Sequence, residues 1–212
     1  MVRLFDGRRR PLRCAAVLAV LMLALAGLAS GQDNQETKLK VSDKPLTAEQ
    51  LAVYRVVLGS WMAQEMPALN LAVQTVPLGE TGPAGDEECT KGLELEPASP
   101  TVVHRFRQQD LARLGPSRTL TLVDPDWQKQ EVRNNDPEKT IGDGRTIEDA
   151  VRNGFAHGLA TLSEIRFDKQ HKHAIVSYGF FCGSLCGNGG AVVLEKIEGV
   201  WQRKSRCGEW IS

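Results

Sequence analysis

Residues 174–207 read AIVSYGFFCGSLCGNGGAVVLEKIEGVWQRKSRC. Two β-rich runs flank a loop with two cysteines and four glycines, and Glu198-Gly199 leads into a third run. A two-residue turn ending in Gly suits the primed hairpin geometry, which needs positive φ and matches the right-handed twist of strands. The register set by that turn pairs Trp201 with Lys196 and Cys207 with Gly190. Because side chains alternate across a strand, Val192, Leu194, Trp201 and Cys207 are expected on one buried face, with Glu195, Lys204 and Arg206 on the other.

Working outward, strands at about 160–167, 174–181, 190–197 and 200–207 form an antiparallel meander, with Asp168-Lys169-Gln170-His171 as its first turn. Upstream, Thr47 and Gln50 make a capping box, and Leu51, Tyr54, Val57, Leu58 and Trp61 follow at helical spacing, giving a helix at about 48–62. Leu69 to Leu78 reads as a strand. Gly79 to Pro97 reads as an acidic loop tied down by Cys89. Ser99-Pro100 places an N-cap before a helix-starting proline, with Val103, Phe106, Asp110 and Leu114 continuing a second helix to Gly115. Thr119 to Val123 is a strand that ends in an Asp124-Pro125-Asp126 turn, and residues 134–146 are a polar surface loop. Thr146 opens a third helix with Ile147, Val151 and Phe155 on one face. Short helices beside such a meander predict an α+β fold, specifically a cystatin-like roll with short helices packed on a curved antiparallel sheet.

The run CGSLCGNGG, then VLEK, EGVW and the final WIS resembles the end of a family of uncharacterised secreted bacterial proteins. The resemblance covers about the last fifty residues. It implies an exported location and this architecture, and it carries over no catalytic residues.

Arginines 3, 8, 9, 10 and 13 precede an uncharged run, Ala15 to Ala29, that ends in the small residues Ala29, Ser30 and Gly31. That is the pattern of a signal peptide over residues 1–31. About fifteen apolar residues are short for a bilayer span, which leaves a single N-terminal membrane anchor as the alternative. A flexible leader, 32–45, and one α+β domain, 46–212, follow. Without residues 1–31 the chain carries 21 basic and 25 acidic side chains, a net of about −4. That balance argues against a nucleic-acid partner, which needs a clustered basic face. About 180 residues suit one domain with its own core. The reading is therefore secreted or periplasmic, with no membrane partner in the mature form.

Cys14 lies inside the signal segment, so Cys89, Cys182, Cys186 and Cys207 remain, an even count that reads as two disulfides. Cys182 ends the first meander strand and Cys207 lies near the end of the third. Two strand spacings are about 9–10 Å, beyond the roughly 7 Å Cα limit for a bridge. Cys182–Cys186 with Cys89–Cys207 is therefore the preferred pairing, and Cys186–Cys207 with Cys89–Cys182 is the rival.

A Cys-x-x-x-Cys pair in a Gly-rich loop lacks the spacing and the helix start of a thioredoxin motif, and zinc would need further ligands. The four histidines are His104, His157, His171 and His173; His171-Lys172-His173 offers a metal pair or, more simply, a polar hairpin tip. The acids of 134–146 do not match a calcium loop. There is no Gly-x-Ser-x-Gly elbow and no phosphate loop, so no catalytic residue and no cofactor is assigned. Tyr178, Phe180 and Trp201 could line a concave ligand site, or simply belong to the core. The expected function is a non-enzymatic binding or interaction domain for an unknown protein or small molecule. The alternative is a small exported hydrolase with its site on the concave sheet face.

Overall fold

A computed structural model describes residues 39–60, 68–80, 87–97, 99, 101–115 and 119–212. Residues 1–31, read above as a signal peptide, and Trp61 and Pro100 lie outside them. Among the described residues, seven strands form one mixed sheet, and an α+β class results.

The first helix, α1 (Ala48–Ser60), starts as its sequence predicts. The Thr47 N–H donates to Gln50 Oε1 at 2.8 Å, and the Gln50 N–H donates to Thr47 Oγ1 at 3.1 Å. Together they satisfy two of the amides that a helix start leaves open. Leu51, Val53, Tyr54, Val57 and Leu58 are all buried, so α1 drives its apolar side into the sheet. Before it, β1 (Lys40–Val41), expected to close a flexible leader, pairs in parallel with β3 (Val102–Val103).

The sheet order is β4 (Thr119–Val123), β2 (Ala68–Ala72), β5 (Leu159–Leu162), β7 (His173–Gly183), β8 (Cys186–Ile197) and β9 (Val200–Ile211); β6 (Arg166–Phe167) also pairs with β7. From β5 to β9 every pairing is antiparallel, the expected meander. Beyond it, β2 pairs in parallel with both β4 and β5. Glu198 and Gly199 take φ of 50° and 83°, the primed turn, and Trp201 faces Lys196.

Farther along β9 the register slips between Val193 and Leu194, so Cys207 faces Ala191 rather than Gly190. This corrects the face assignment. Val192, Leu194 and Trp201 join the main core on the α1 side, which is the inner face. Cys207 packs with Ile175, Ala191 and Val193 on the outer face. Arg206, facing Val192, is likewise shifted to the inner side. One extra residue in a strand is enough to exchange its faces.

Several local readings also change. The four glycines are not loop: the chain turns tightly between Gly183 and Cys186, and Gly187, Gly189 and Gly190 lie in the ladder opposite Phe181, Gly179 and Tyr178. The second helix begins later than expected, because the β-branched Val102–Val103 pair is strand. Helical structure starts at Gln108–Asp110, where Asp110 accepts the Arg107 N–H at 2.8 Å, and continues as α3 (Leu111–Leu114) to Gly115. Residues 87–90, within the acidic loop, form the short α2 (Glu87–Thr90).

The region read as turn and loop holds two helices. Asp124 accepts the N–H groups of Asp126 and Trp127 at 3.0 and 3.1 Å and caps α4 (Pro125–Asn134). Asp136 accepts the Glu138 N–H at 2.9 Å and caps α5 (Pro137–Gly142). In both, Asp supplies the cap oxygen and Pro the preset φ of the first helical residue. Thr146 caps α6 (Ile147–His157) as expected, but its inward residues are Ala150 and Gly154, while Ile147 is exposed.

Two disulfides staple the sheet. Cys89–Cys207 (Cα–Cα 5.9 Å) ties α2 to β9 across the outer face, and Cys182–Cys186 (Cα–Cα 5.0 Å) closes the β7–β8 tip. No helix among the described residues is long and apolar enough to cross a membrane.

Candidate ligand groove

The outer face is covered at two places and left hollow between them. On one side Leu78, Cys89, Leu93 and Leu95 pack over Ile175, Ala191 and Val193. On the other, α4 sets Val132 over Ala72 and Leu159. Between these covers the sheet presents the small residues Thr161, Gly179 and Gly189 in register across three strands, and Trp210 follows them on the fourth. Glycines on a sheet face remove the side chains that would fill it. The resulting hollow has a volume of about 460 Å³, within the usual range for small-molecule sites.

Its walls are mainly hydrocarbon: Val132, Leu159, Phe181 and Trp210. Phe181 is 43 % exposed although it sits within an eleven-residue strand, and its ring borders the hollow. Trp210 lies across the glycines of β8. A Cβ at Gly189 would come within 2.6 Å of Trp210 Nε1 and 2.7 Å of the Tyr178 carbonyl oxygen, and one at Gly187 within 3.3 Å of the indole. The C-terminal end is fixed there by Ser212 N–H donating to the Gly187 carbonyl at 3.0 Å. The glycine run and the final Trp-Ile-Ser are thus one packing unit, although some twenty residues separate them in sequence.

At the rim, Lys129 and Arg133 stand four residues apart on α4, and Glu80 and Asp136 are also present. Asp136 binds the disulfide tip as well as α5. Its Oδ2 accepts the Ser184 N–H at 2.7 Å, and the Ser184 hydroxyl donates to Glu138 Oε2 at 2.7 Å. Burial pushes the Asp136 carboxyl up, but hydrogen bonds from Ser184 and Glu138 outweigh it and hold the carboxyl below its ordinary value.

Of the aromatic residues singled out from sequence, Phe180 borders the groove, whereas Tyr178 and Trp201 do not line it. Tyr178, Phe180 and Trp201 are buried in the inner core at 3, 0 and 5 % exposure. Phe180 stacks on Phe155 at 5.7 Å and also borders the groove. Trp201 packs 5.8 Å from Phe167, with the Lys196 ammonium 4.9 Å above its ring. The groove's other aromatic residues, Phe181 and Trp210, were not among those that reading selected. The signal for them was the glycine spacing, which clears one face only.

The histidines are divided among separate partners. His171 Nδ1 meets Glu49 Oε2 and His173 Nδ1 meets Asp168 Oδ2, both at 2.9 Å. Asp168 also accepts the Lys172 N–H at 2.7 Å, so these groups build the β6–β7 turn. His157 Nδ1 meets the Asn153 carbonyl at 2.9 Å, within α6. His104 belongs to a more enclosed cluster on β-sheet connections. Its Nδ1 lies 2.9 Å from Glu164 Oε2, its N–H donates to Glu164 Oε1 at 2.7 Å, and the Thr75 hydroxyl also bonds Glu164. Nearby, the Tyr54 hydroxyl donates to the Ser163 carbonyl at 2.9 Å; burial, reinforced by the Glu164 charge, pushes its ionisation far above the usual range. His104 and Glu164 line a second hollow of about 220 Å³.

Acid should weaken this framework. At Asp168, burial raises the carboxyl, but bonds from His173 and Lys172 win and hold it below its ordinary value. Asp136 behaves alike. Stability from such groups is present above their unfolded values, near pH 4, and is lost as pH falls through the lower folded values. Urea midpoints should therefore fall from about pH 5 to 3, and Asp168→Asn should flatten that fall. A midpoint that rises on acidification contradicts the assignment.

Comparison with known family models, curated proteins and solved structures finds no match, so the functional reading rests on the sequence and on this geometry.

Proposed function

We propose that the chain is an exported, non-enzymatic binding domain whose small-molecule ligand seats between Phe181 and Trp210. The observation that carries this reading is the hollow itself: an apolar groove with Gly179 in its lining, bordered by a half-exposed phenylalanine. A sheet face intended only for packing would fill that volume with side chains. Export is supported by the basic and apolar pattern of residues 1–31 and by the pairing of all four later cysteines. N-terminal sequencing of exported material should find a start near Gln32; an intact Met1 in a membrane fraction contradicts it.

The groove is tested with the neutral fluorescent probe N-phenyl-1-naphthylamine on the oxidised chain. Emission should rise to saturation at one site, and Phe181→Asp should weaken binding at least tenfold with the circular dichroism unchanged. Phe181 suits this test because its exposure lets the fold tolerate the change. A linear, unsaturable rise, or equal binding by the variant, overturns the reading.

A second reading, an exported hydrolase, draws on one observation. Glu164 holds His104 Nδ1 beside a hollow, which would leave Nε2 as a proton acceptor. Against it, no hydroxyl or thiol is hydrogen-bonded to Nε2 among the described residues, and the Thr75 hydroxyl is fully buried on Glu164. The cluster fits a fastening between chain segments better than a reacting centre.

A further inference from the structure

Resting on the groove reading above, we infer that the ligand is an anionic amphiphile: one negatively charged head on an apolar body, held head-first at Lys129 and Arg133. The charge around the groove decides the sign. Lys129 and Arg133 are one helical turn apart, so their side chains project from the same side of α4, flanking the wall residue Val132. Lys129 has only a long contact, 3.5 Å, with Asp126, and both groups are more than half exposed. Such a pair contributes little and can be exchanged for a ligand. Arg133 has no ion-pair partner among the described residues.

Two acids also border the groove, and they act differently. Asp136 is occupied by donors, the Ser184 N–H on Oδ2 and the Glu138 N–H on Oδ1, so each of its oxygens is engaged by the protein. Glu80 lies on the turn at 78–80, and with Asp136 so engaged it is a single exposed acid facing two cations. The two helix-borne cations are therefore the groups best placed to meet a ligand charge. A guanidinium fits a planar carboxylate or a phosphate edge with two parallel hydrogen bonds. Beyond them the hydrocarbon of Leu159, Phe181 and Trp210 takes the body of the ligand.

The test compares three probes with one chain length and different heads, each displacing N-phenyl-1-naphthylamine from the oxidised protein. They are decanoate, 1-decanol and decyltrimethylammonium, all used below their micelle concentrations. The expected order is decanoate tightest by about tenfold, then decanol, then the cation, which corresponds to about 1.4 kcal/mol for the charged head. Arg133→Gln with Lys129→Gln should bring decanoate down to the affinity of decanol while leaving decanol unchanged. Equal binding of all three probes by the unaltered protein, preference for the cation, or a decanoate preference that survives the double substitution would each overturn the inference while leaving the groove reading intact. If none of the three displaces the dye, the groove reading itself fails and this inference falls with it. Both cations are solvent-exposed, so the variants should fold, and an unchanged decanol affinity verifies it.

Discussion

Replacing Cys89 and Cys207 together by serine should lower stability by roughly 4–5 kcal/mol. The bridge closes a loop with a sequence separation of 118, and in the chain-entropy picture such closure removes many conformations from the unfolded chain. The same bridge holds the segment carrying Leu93 and Leu95 over Ile175, Ala191 and Val193, so its loss also uncovers the outer cluster. The Cys182–Cys186 bridge spans a separation of only 4, and the same relation gives about 2 kcal/mol for it. Urea unfolding of the two double-serine variants provides the comparison. A loss below about 1 kcal/mol for the long bridge, or a larger loss for the short one, would contradict the stapling described above.

Trp201→Ala should cost roughly 3–5 kcal/mol, the usual range for removing a large core aromatic. Its ring is 5 % exposed and sits in the cluster that α1 closes, with Phe167 beside it. Above it Lys196 also bonds Glu49 of α1, so the indole underlies a contact between helix and sheet. Removing the ring leaves a cavity and withdraws the face on which the ammonium rests. Trp201→Phe should lose clearly less, because an aromatic face remains. An alanine variant within about 1 kcal/mol of the unaltered protein would place Trp201 outside the core.

How much of this was legible in the chain depended on whether the deciding contact was local. The Thr47/Gln50 box and the Glu198-Gly199 turn are complete within a few residues, and both formed as read. The cysteine pairing was legible because strand order alone separates Cys182 from Cys207 by β8. The Asp-Pro pairs at 124–125 and 136–137 were ambiguous, since the same two residues open a turn or a helix, and only the next few side chains decide between them. The slip beside Leu194 has no strong local signal, yet it moved Cys207 and Arg206 to opposite faces from those expected.

The groove was harder still. Alternation in β7 places Tyr178 and Phe180 on one face and Phe181 on the other, and sequence alone does not say which face a helix covers. Nor does it show that Trp210 returns to lie over Gly187 and Gly189, a contact set by three-stranded pairing. With hindsight Gly179, Gly187 and Gly189 share one face, and a run of glycines on one face marks a place where something else must sit.

The most direct measurement follows the indole N–H signals in a ¹⁵N-labelled, oxidised sample as N-phenyl-1-naphthylamine is added to saturation. The chain has four tryptophans, and single Trp→Phe variants assign their signals. If the groove is the ligand site, the Trp210 signal shifts progressively while the buried Trp201 signal stays in place. A shift at Trp201 with Trp210 unmoved, or no shift at either, would contradict the account.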